Sequence, residues 1–344
     1  MRSSTVASIA ITGAGIALLV WLIASADPSR IWIGLRQVGW GLAAVIAIAG
    51  VRFAVRAAAW TRCLEPPHRL RFAEAFTAVL AGDALGNATP LGPLVSEPAK
   101  VALVRDRVPM GVAFTALAIE NVFYTLSVAG MIAAGITALL LRGGLDRELR
   151  LAAELGIAIV LAIYLAATWV LVQQPALLSR AIGGAARLVP ALGQGHRLEK
   201  IRRLEQEIYT FAARRPGTVG AIAVAESIFH ALGVLEVYLI LWLLPGGAPA
   251  AVSAFILETA NRLITVLFKF VPMQQLGVND AGTVLVARAL GLTQETASTL
   301  AVVRRLRMLF WQLAGTLLLV RHGMSTRQIL ADNELQSRGT EARG

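Results

Sequence analysis

The stretch Gly82–Lys100, GDALGNATPLGPLVSEPAK, decides how this chain is read. It gathers Asp83, Asn87, Thr89, Ser96, Glu97 and Lys100 around Pro90, Pro93 and Pro98, with Gly82, Gly86 and Gly92 between them. Proline and glycine break helices. Outward from it on both sides run long apolar segments. Backbone freed at membrane depth must be buried in protein or face a wet cavity, and an intramembrane carboxylate marks a functional site by default. A polar, broken hairpin set between apolar spans therefore points to a place that receives a polar group.

The composition agrees. Of 344 residues, 56% are hydrophobic and 15% charged, where soluble domains carry about 25% charged residues. Several segments reach the roughly 20 apolar residues needed to cross a bilayer. The expected fold is all-α: a polytopic helical membrane protein of about seven to eight spans in a single integral membrane domain, residues 1–344. The spans read Ala7–Ser25, Val38–Trp60, Gly111–Leu141, Leu151–Val172, Thr218–Leu244, Ala250–Phe270 and Thr296–Val320. Met1–Ala26 has signal-peptide features, but its apolar run is long for one, so an uncleaved first span is expected. Two interrupted regions remain, Phe72–Val108 and Val271–Leu292, each read as a re-entrant or broken helical hairpin.

Charge sets the orientation. The segment Gln173–Gly217 carries eight Arg and Lys against three Glu and is expected on the cytoplasmic side. Thr61–Arg71 and Lys100–Arg107 are also basic, so both flanks of the first hairpin read cytoplasmic. The same logic places the second hairpin on the cytoplasmic side. Within the basic loop, Leu198, Ile201, Leu204, Ile208 and Phe211 recur at helical spacing, which predicts an amphipathic helix on the inner leaflet. The short polar tail is residues 321–344.

A net charge of +11 fits arginines meeting anionic phospholipids; no nucleic-acid module is present in the sequence. The only cysteine, Cys63, excludes a disulfide framework. The preference for Arg over Lys suggests a GC-rich, bacterial genome and hence a bacterial cytoplasmic (inner) membrane. No cluster has metal-ligand spacing, no catalytic motif stands out, and no cofactor is expected.

The sequence also contains a weak internal repeat, with a first copy over 38–141 and a second over 250–320. Each has Pro and Gly, then an acid (Glu97, Asp280), then an apolar helix with an arginine, a turn, and a span charged near its middle. The breaks are Pro90 and Gly92 in one, Pro272 and Gly277 in the other. Repeats of interrupted helices meeting at the bilayer midplane are a transporter plan.

These residues carry a resemblance. Asn87, Pro90, Gly92, Ser96-Glu97 and Lys100, then Pro272, Leu276-Gly277, Asp280 and Arg304, make the chain resemble the transmembrane region of lysylphosphatidylglycerol synthetase-like proteins, the flippase-like domain family, from about Gln37 to Val320. Ser96 replaces a usual Gly and Lys100 a usual Arg, which keeps the charge but loses the bidentate fork. The resemblance implies movement of a lipid or lipid-linked molecule across the bilayer. Residues 321–344 are too few for a soluble aminoacyl-transferase domain, so a separate lipid-modifying enzyme is the expected partner. The alternatives are a non-catalytic membrane partner of a lipid- or glycolipid-synthesising enzyme, and an integral-membrane transferase.

The candidate substrate-binding residues are Asn87, Glu97, Lys100, Asp280, Arg52, Arg56, Glu120 and Arg304. Arg52 and Arg56 share a helix face; they form a phosphate-binding pair, snorkel to the interface, or pair with Glu97. Glu120 and Arg304 either pair with each other or serve transport. Glu226 with His230 reads as a hydrogen-bonded packing contact or a proton relay, and Glu258 with Arg262 as an i,i+4 ion pair. Glu97 and Asp280 are expected to face one polar cavity.

Overall fold

The computed structural model describes residues 36–87, 92–142, 210–244, 250–267 and 278–321, with a few further positions at 32, 147–162 and 206–207. The expected first span Ala7–Ser25, most of Leu151–Val172, most of the amphipathic helix, Pro90, Pro272, Gly277 and the tail lie outside the described residues. Among the described residues, eight helices carry the architecture: α1 (Gly41–Cys63), α2 (Phe72–Asn87), α3 (Gly92–Leu103), α4 (Met110–Arg142), α5 (Pro216–Leu243), α6 (Ala251–Leu267), α7 (Val278–Ala289) and α8 (Gln294–Arg321). Among the described residues there is no strand.

Local chemistry sets several of the ends. α1 stops at an extended Leu64 just before Pro66-Pro67, and α5 opens on Pro216, which suits a first-turn position. α7 ends on Gly291 at φ 78°, where the Leu292 amide donates back to the Ala287 carbonyl at 2.9 Å, a left-handed stop that favours glycine. α8 then starts beneath Thr293, whose hydroxyl accepts from the Thr296 amide at 3.2 Å.

α1, α4 and α5 are each long and apolar enough to cross a membrane. The outside of the bundle is apolar: Phe114, Val224, Leu235, Trp242, Leu313 and Leu317 are exposed. The inside holds Arg52, Lys100, Glu120, Glu226, Glu236, Glu258 and Arg304, all buried. In water this distribution would be reversed; in lipid it is the favourable one, because charges gather away from hydrocarbon.

α2 and α3, 16 and 12 residues long, are each short of the roughly 20 needed to cross. They form a hairpin, and its open end is closed by an ion pair from Arg107 to Glu74 at 3.0 Å. α6 and α7, 17 and 12 residues, form a second hairpin. Its open end lies against Arg142, the last residue of α4. The Arg142 guanidinium donates to the Ser253 hydroxyl at 2.8 Å and to the Leu290 carbonyl at 3.3 Å.

This corrects two expectations. The segment read as a span over Ala250–Phe270 is the first arm of the second hairpin: its start and the end of α7 meet at Arg142, and Glu258 and Arg262 interrupt its apolar face. Since α4 runs from the open end of one hairpin to the open end of the other, the hairpins enter from opposite faces rather than both from the cytoplasm.

The two halves, α1–α4 and α5–α8, therefore have the same order and opposite directions: a long helix, a short hairpin, a long helix. The packing repeats as well. α2 lies on α8 as α6 lies on α4, α1 on α2 as α5 on α6, α1 on α4 as α5 on α8, and α4 on α5 as α8 on α1, with α1 against α5 at the centre. This is an inverted repeat. Its second unit opens at Pro216, earlier than residue 250 where the sequence pattern begins to match. The end of α8 comes back to the first hairpin, where Leu319 packs with Ala81, Leu85, Ala99 and Ala102.

Opposite entry is open to a direct check. Arg71 and Asp106, exposed at the first hairpin's open end, and Val252 and Ala289, exposed at the second's, are to be replaced singly by cysteine in a Cys63→Ser background. The first two are expected to label with a membrane-impermeant thiol reagent from one side only, and the other two from the opposite side only. Labelling of all four from the same side would rule out the inverted arrangement.

Candidate functional site

The buried charges fall into linked groups at the centre of the bundle. In the first half, Arg56 of α1 makes a two-pronged pair with Glu120 of α4, at 2.9 and 2.8 Å. Arg56 also donates to the Asn121 side-chain oxygen at 3.3 Å. The Asn121 amide in turn donates to Glu97 at 3.1 Å. Lys100 closes the group, with its ammonium 3.0 Å from Glu97 and 2.7 Å from Asp83; the Ser96 hydroxyl donates to Asp83 at 3.0 Å. Lys100 is 1% exposed. Its stem lies against Gly82, where a Cβ would collide with it and with the α3 backbone, so glycine at 82 makes room for the lysine.

In the second half the charges are shared differently. Glu236 of α5 accepts from Arg52 at 3.1 Å and from Arg307. Glu258 of α6 accepts from Arg262 at 3.0 Å and from Arg304 at 2.5 Å, with Arg52 at 3.7 Å. Arg262 also donates to the Tyr124 hydroxyl at 3.2 Å. Aromatic faces hold the guanidinium groups in place: Arg52 lies 4.6 Å and Arg262 4.9 Å from the Phe229 ring centre, and Arg56 4.2 Å from that of Tyr124. The pair joining α1 to α4 and the pair joining α5 to α8 occupy corresponding places with the signs exchanged, Arg56–Glu120 against Glu236–Arg307.

These groups surround a cavity of about 290 Å³. Its wall includes Arg52, Arg56, Asp83, Asn87, Tyr124, Glu258, Asn261, Arg262, Arg304, Arg307 and Trp311, drawn from α1, α2, α4, α6 and α8, with Thr283 from α7. Both halves thus contribute to one polar space.

Of the residues singled out in the sequence, Arg52, Arg56, Asn87 and Arg304 reach the cavity wall. Glu120 stands behind Arg56. Glu97 and Lys100 brace the first hairpin next to the wall, and Asp83 presents the carboxylate there. Asp280 lies in the first turn of α7 and its side chain is outside the described residues. Gly92 opens α3, close against Gly86, where a Cβ on either would meet the other's backbone.

Of the two readings of Glu120 and Arg304, the direct pair does not form, because Glu120 faces α1 while Arg304 faces α6. Arg52 and Arg56 do not pair directly with Glu97; only Arg56 is linked to it, through Asn121. Glu226 and His230 do not bond to each other: the Ser127 hydroxyl lies 2.9 Å from His230 Nε2 and 3.4 Å from Glu226. The Glu258–Arg262 pair forms as the spacing predicts. Glu236 was absent from the sequence-based candidates; the signal for it was a second acid, ten residues after Glu226, in an apolar helix of 28 residues. Among the described residues, no group of three His, Cys, Asp or Glu side chains is placed to hold a metal ion.

Inverted hairpin-bearing halves around a buried ionic cavity define a multi-pass helical membrane protein with a polar interior site. The chain belongs to the family described as the lysylphosphatidylglycerol synthase TM region, which matches residues 5–315. No curated protein and no solved structure matches it.

Proposed function

We propose that this protein moves a lipid or lipid-linked polar headgroup across the membrane, with the headgroup passing through the central cavity and the acyl chains remaining in lipid. The membrane in this reading is the bacterial cytoplasmic membrane, and a separate enzyme makes the lipid. The observation that carries the proposal is the cavity itself. It is arginine-lined, it lies at the junction of two oppositely inserted hairpins, and the long helices around it expose apolar side chains such as Phe114, Val224, Leu313 and Leu317 to the outside. Repeats of this kind meeting at a midplane site are the architecture of alternating-access transport. Membership of a lipid-synthase transmembrane family supports a lipid as the cargo.

Reconstitution tests the reading. Purified protein in liposomes containing a headgroup-labelled fluorescent phospholipid is expected to speed the exchange of label between leaflets, read by its quenching with a membrane-impermeant reductant. Glu97→Gln keeps Lys100 paired to Asp83, so it is expected to fold like the parent while slowing exchange at least tenfold. Exchange no faster than in empty liposomes, across zwitterionic and anionic lipids alike, would remove the proposal.

A further inference from the structure

Arg52, Arg262, Arg304 and Arg307 share two carboxylates, Glu236 and Glu258. Among the described side chains this group holds an excess of two positive charges, and all four arginines line the cavity. Two of their donors are unmet: Arg52 Nε and Arg304 Nη1 are buried with no hydrogen-bond partner. Arg52 and Arg304 are 8% exposed each. A buried donor left unmatched is rare enough to need a reason, and on a guanidinium in low dielectric it is costly. The acid-rich group beside it is closed on itself. Asp83 already accepts from Lys100 and Ser96, Glu120 from both prongs of Arg56, and Glu97 from Lys100 and Asn121. Each of these carboxylates has two donors, while two buried donors on the cationic side lack an acceptor.

We infer that the cavity binds a phosphate group carrying about two negative charges, a phosphate monoester or diphosphate, seated between Arg52 and Arg304. The charge arithmetic favours it: a phosphate monoester carries about −1.5 to −2 at neutral pH and offsets the excess, a diester offsets half, and a lysylated headgroup adds to it. Guanidinium forks match phosphate oxygens geometrically. This deepens the proposed function and rests on it for the claim that the phosphate belongs to a transported lipid; the binding chemistry itself does not require transport.

The test is calorimetric titration of the full chain in detergent with short-chain phosphatidic acid, phosphatidylglycerol, phosphatidylcholine and lysylphosphatidylglycerol, and separately with inorganic pyrophosphate. The affinities are expected to fall in that lipid order, with phosphatidic acid at least tenfold above phosphatidylcholine. Binding of pyrophosphate as tight as that of phosphatidic acid identifies a water-soluble phosphate as the ligand; binding of the lipid alone identifies a headgroup. Either result supports the site. Arg304→Gln is expected to weaken phosphatidic acid roughly ten- to a hundredfold, the range for a hydrogen bond to a charged group. Arg62→Gln, exposed at the end of α1, is expected to leave it unchanged, which separates the cavity from general attraction to a basic surface. Glu258→Gln raises the local positive excess and is expected to bind phosphatidic acid at least as tightly as the parent. That outcome is opposite to what a purely structural role for the cluster gives; if neither Arg304→Gln nor Glu258→Gln folds, the lipid order measured on the unsubstituted protein decides the inference. Lysylphosphatidylglycerol binding as tightly as phosphatidic acid, or equal losses in Arg304→Gln and Arg62→Gln, would overturn the inference. If liposome exchange is fast but follows the reversed lipid order, transport stands and the phosphate site falls. If phosphatidic acid binds as described and no lipid moves, the site stands and transport falls.

Discussion

Glu120→Gln is expected to destabilise the folded protein by about 3–5 kcal/mol, the range for removing one partner of a buried ion pair. Glu120 is 1% exposed and accepts from both prongs of Arg56, which also lies over Tyr124. With a neutral amide in its place the Arg56 guanidinium keeps its charge and loses its counterion. The loss is to be measured as a fall in melting temperature in detergent, together with earlier alkylation of Cys63, which is buried beneath the same helices. The double change Arg56→Met with Glu120→Leu should recover most of the loss, because replacing both partners by apolar groups of similar size is often neutral. A single mutant that melts like the parent would show that water in the cavity, and not Glu120, carries the charge of Arg56.

The other large effect is steric. Where α8 crosses α2, a Cβ on Gly315 would stand 2.5 Å from the Leu80 carbonyl oxygen and 2.6 Å from the Ala84 Cβ. The obstacle is largely backbone, so it cannot rotate aside. Small residues at such crossings let membrane helices approach closely. Gly315→Leu is expected to separate the two helices at a cost at or above the upper end of the roughly 1–3 kcal/mol usual for overpacking. Size-exclusion profiles of the detergent-solubilised protein should show loss of the monodisperse species. Gly130→Leu is the matched control: a Cβ there meets nothing within 4 Å, and the change should be neutral or mildly stabilising through helix propensity. The inverted counterpart of the crossing, α4 on α6, also passes at a glycine, Gly135 against Thr259. Equal behaviour of Gly315→Leu and Gly130→Leu would mean that the crossing has room the structure does not show.

Much of this arrangement was legible in the sequence. Hydropathy marked α1, α4, α5 and α8, and the Pro/Gly-rich polar stretch marked the first hairpin, because both signals are local. Glu258–Arg262 was legible because i,i+4 spacing fixes who faces whom within one helix. Partner choice between helices was not. Periodicity gives the face a charge lies on but not which helix stands opposite, so Glu120 found Arg56, 64 positions earlier, rather than Arg304. Glu236 escaped notice because one acid hardly alters the mean hydropathy of a long span. The second hairpin is hard to read from sequence because its first arm, α6, is apolar enough around Glu258 and Arg262 to pass for a span. The opposed entry of the hairpins was hidden in short connections such as Pro245–Pro249, whose lack of charge says little about side.

Most of the ion pairs close within their own half of the chain. Arg56 finds Glu120 and Lys100 finds Asp83 and Glu97 before α5 begins; Arg307 finds Glu236 and Arg304 finds Glu258 after it. Arg52 is different. Its first acidic partner, Glu236, comes 184 residues later, which at about 5–20 residues per second of synthesis is a wait on the order of ten seconds or more. Through that interval the described ion pairs of the N-terminal half can form, and Arg52 stands without the acid it meets in the finished protein. That side chain acts as a latch awaiting its strike plate: the half-made protein carries at Arg52 a charge whose acidic partners arrive only with the other half.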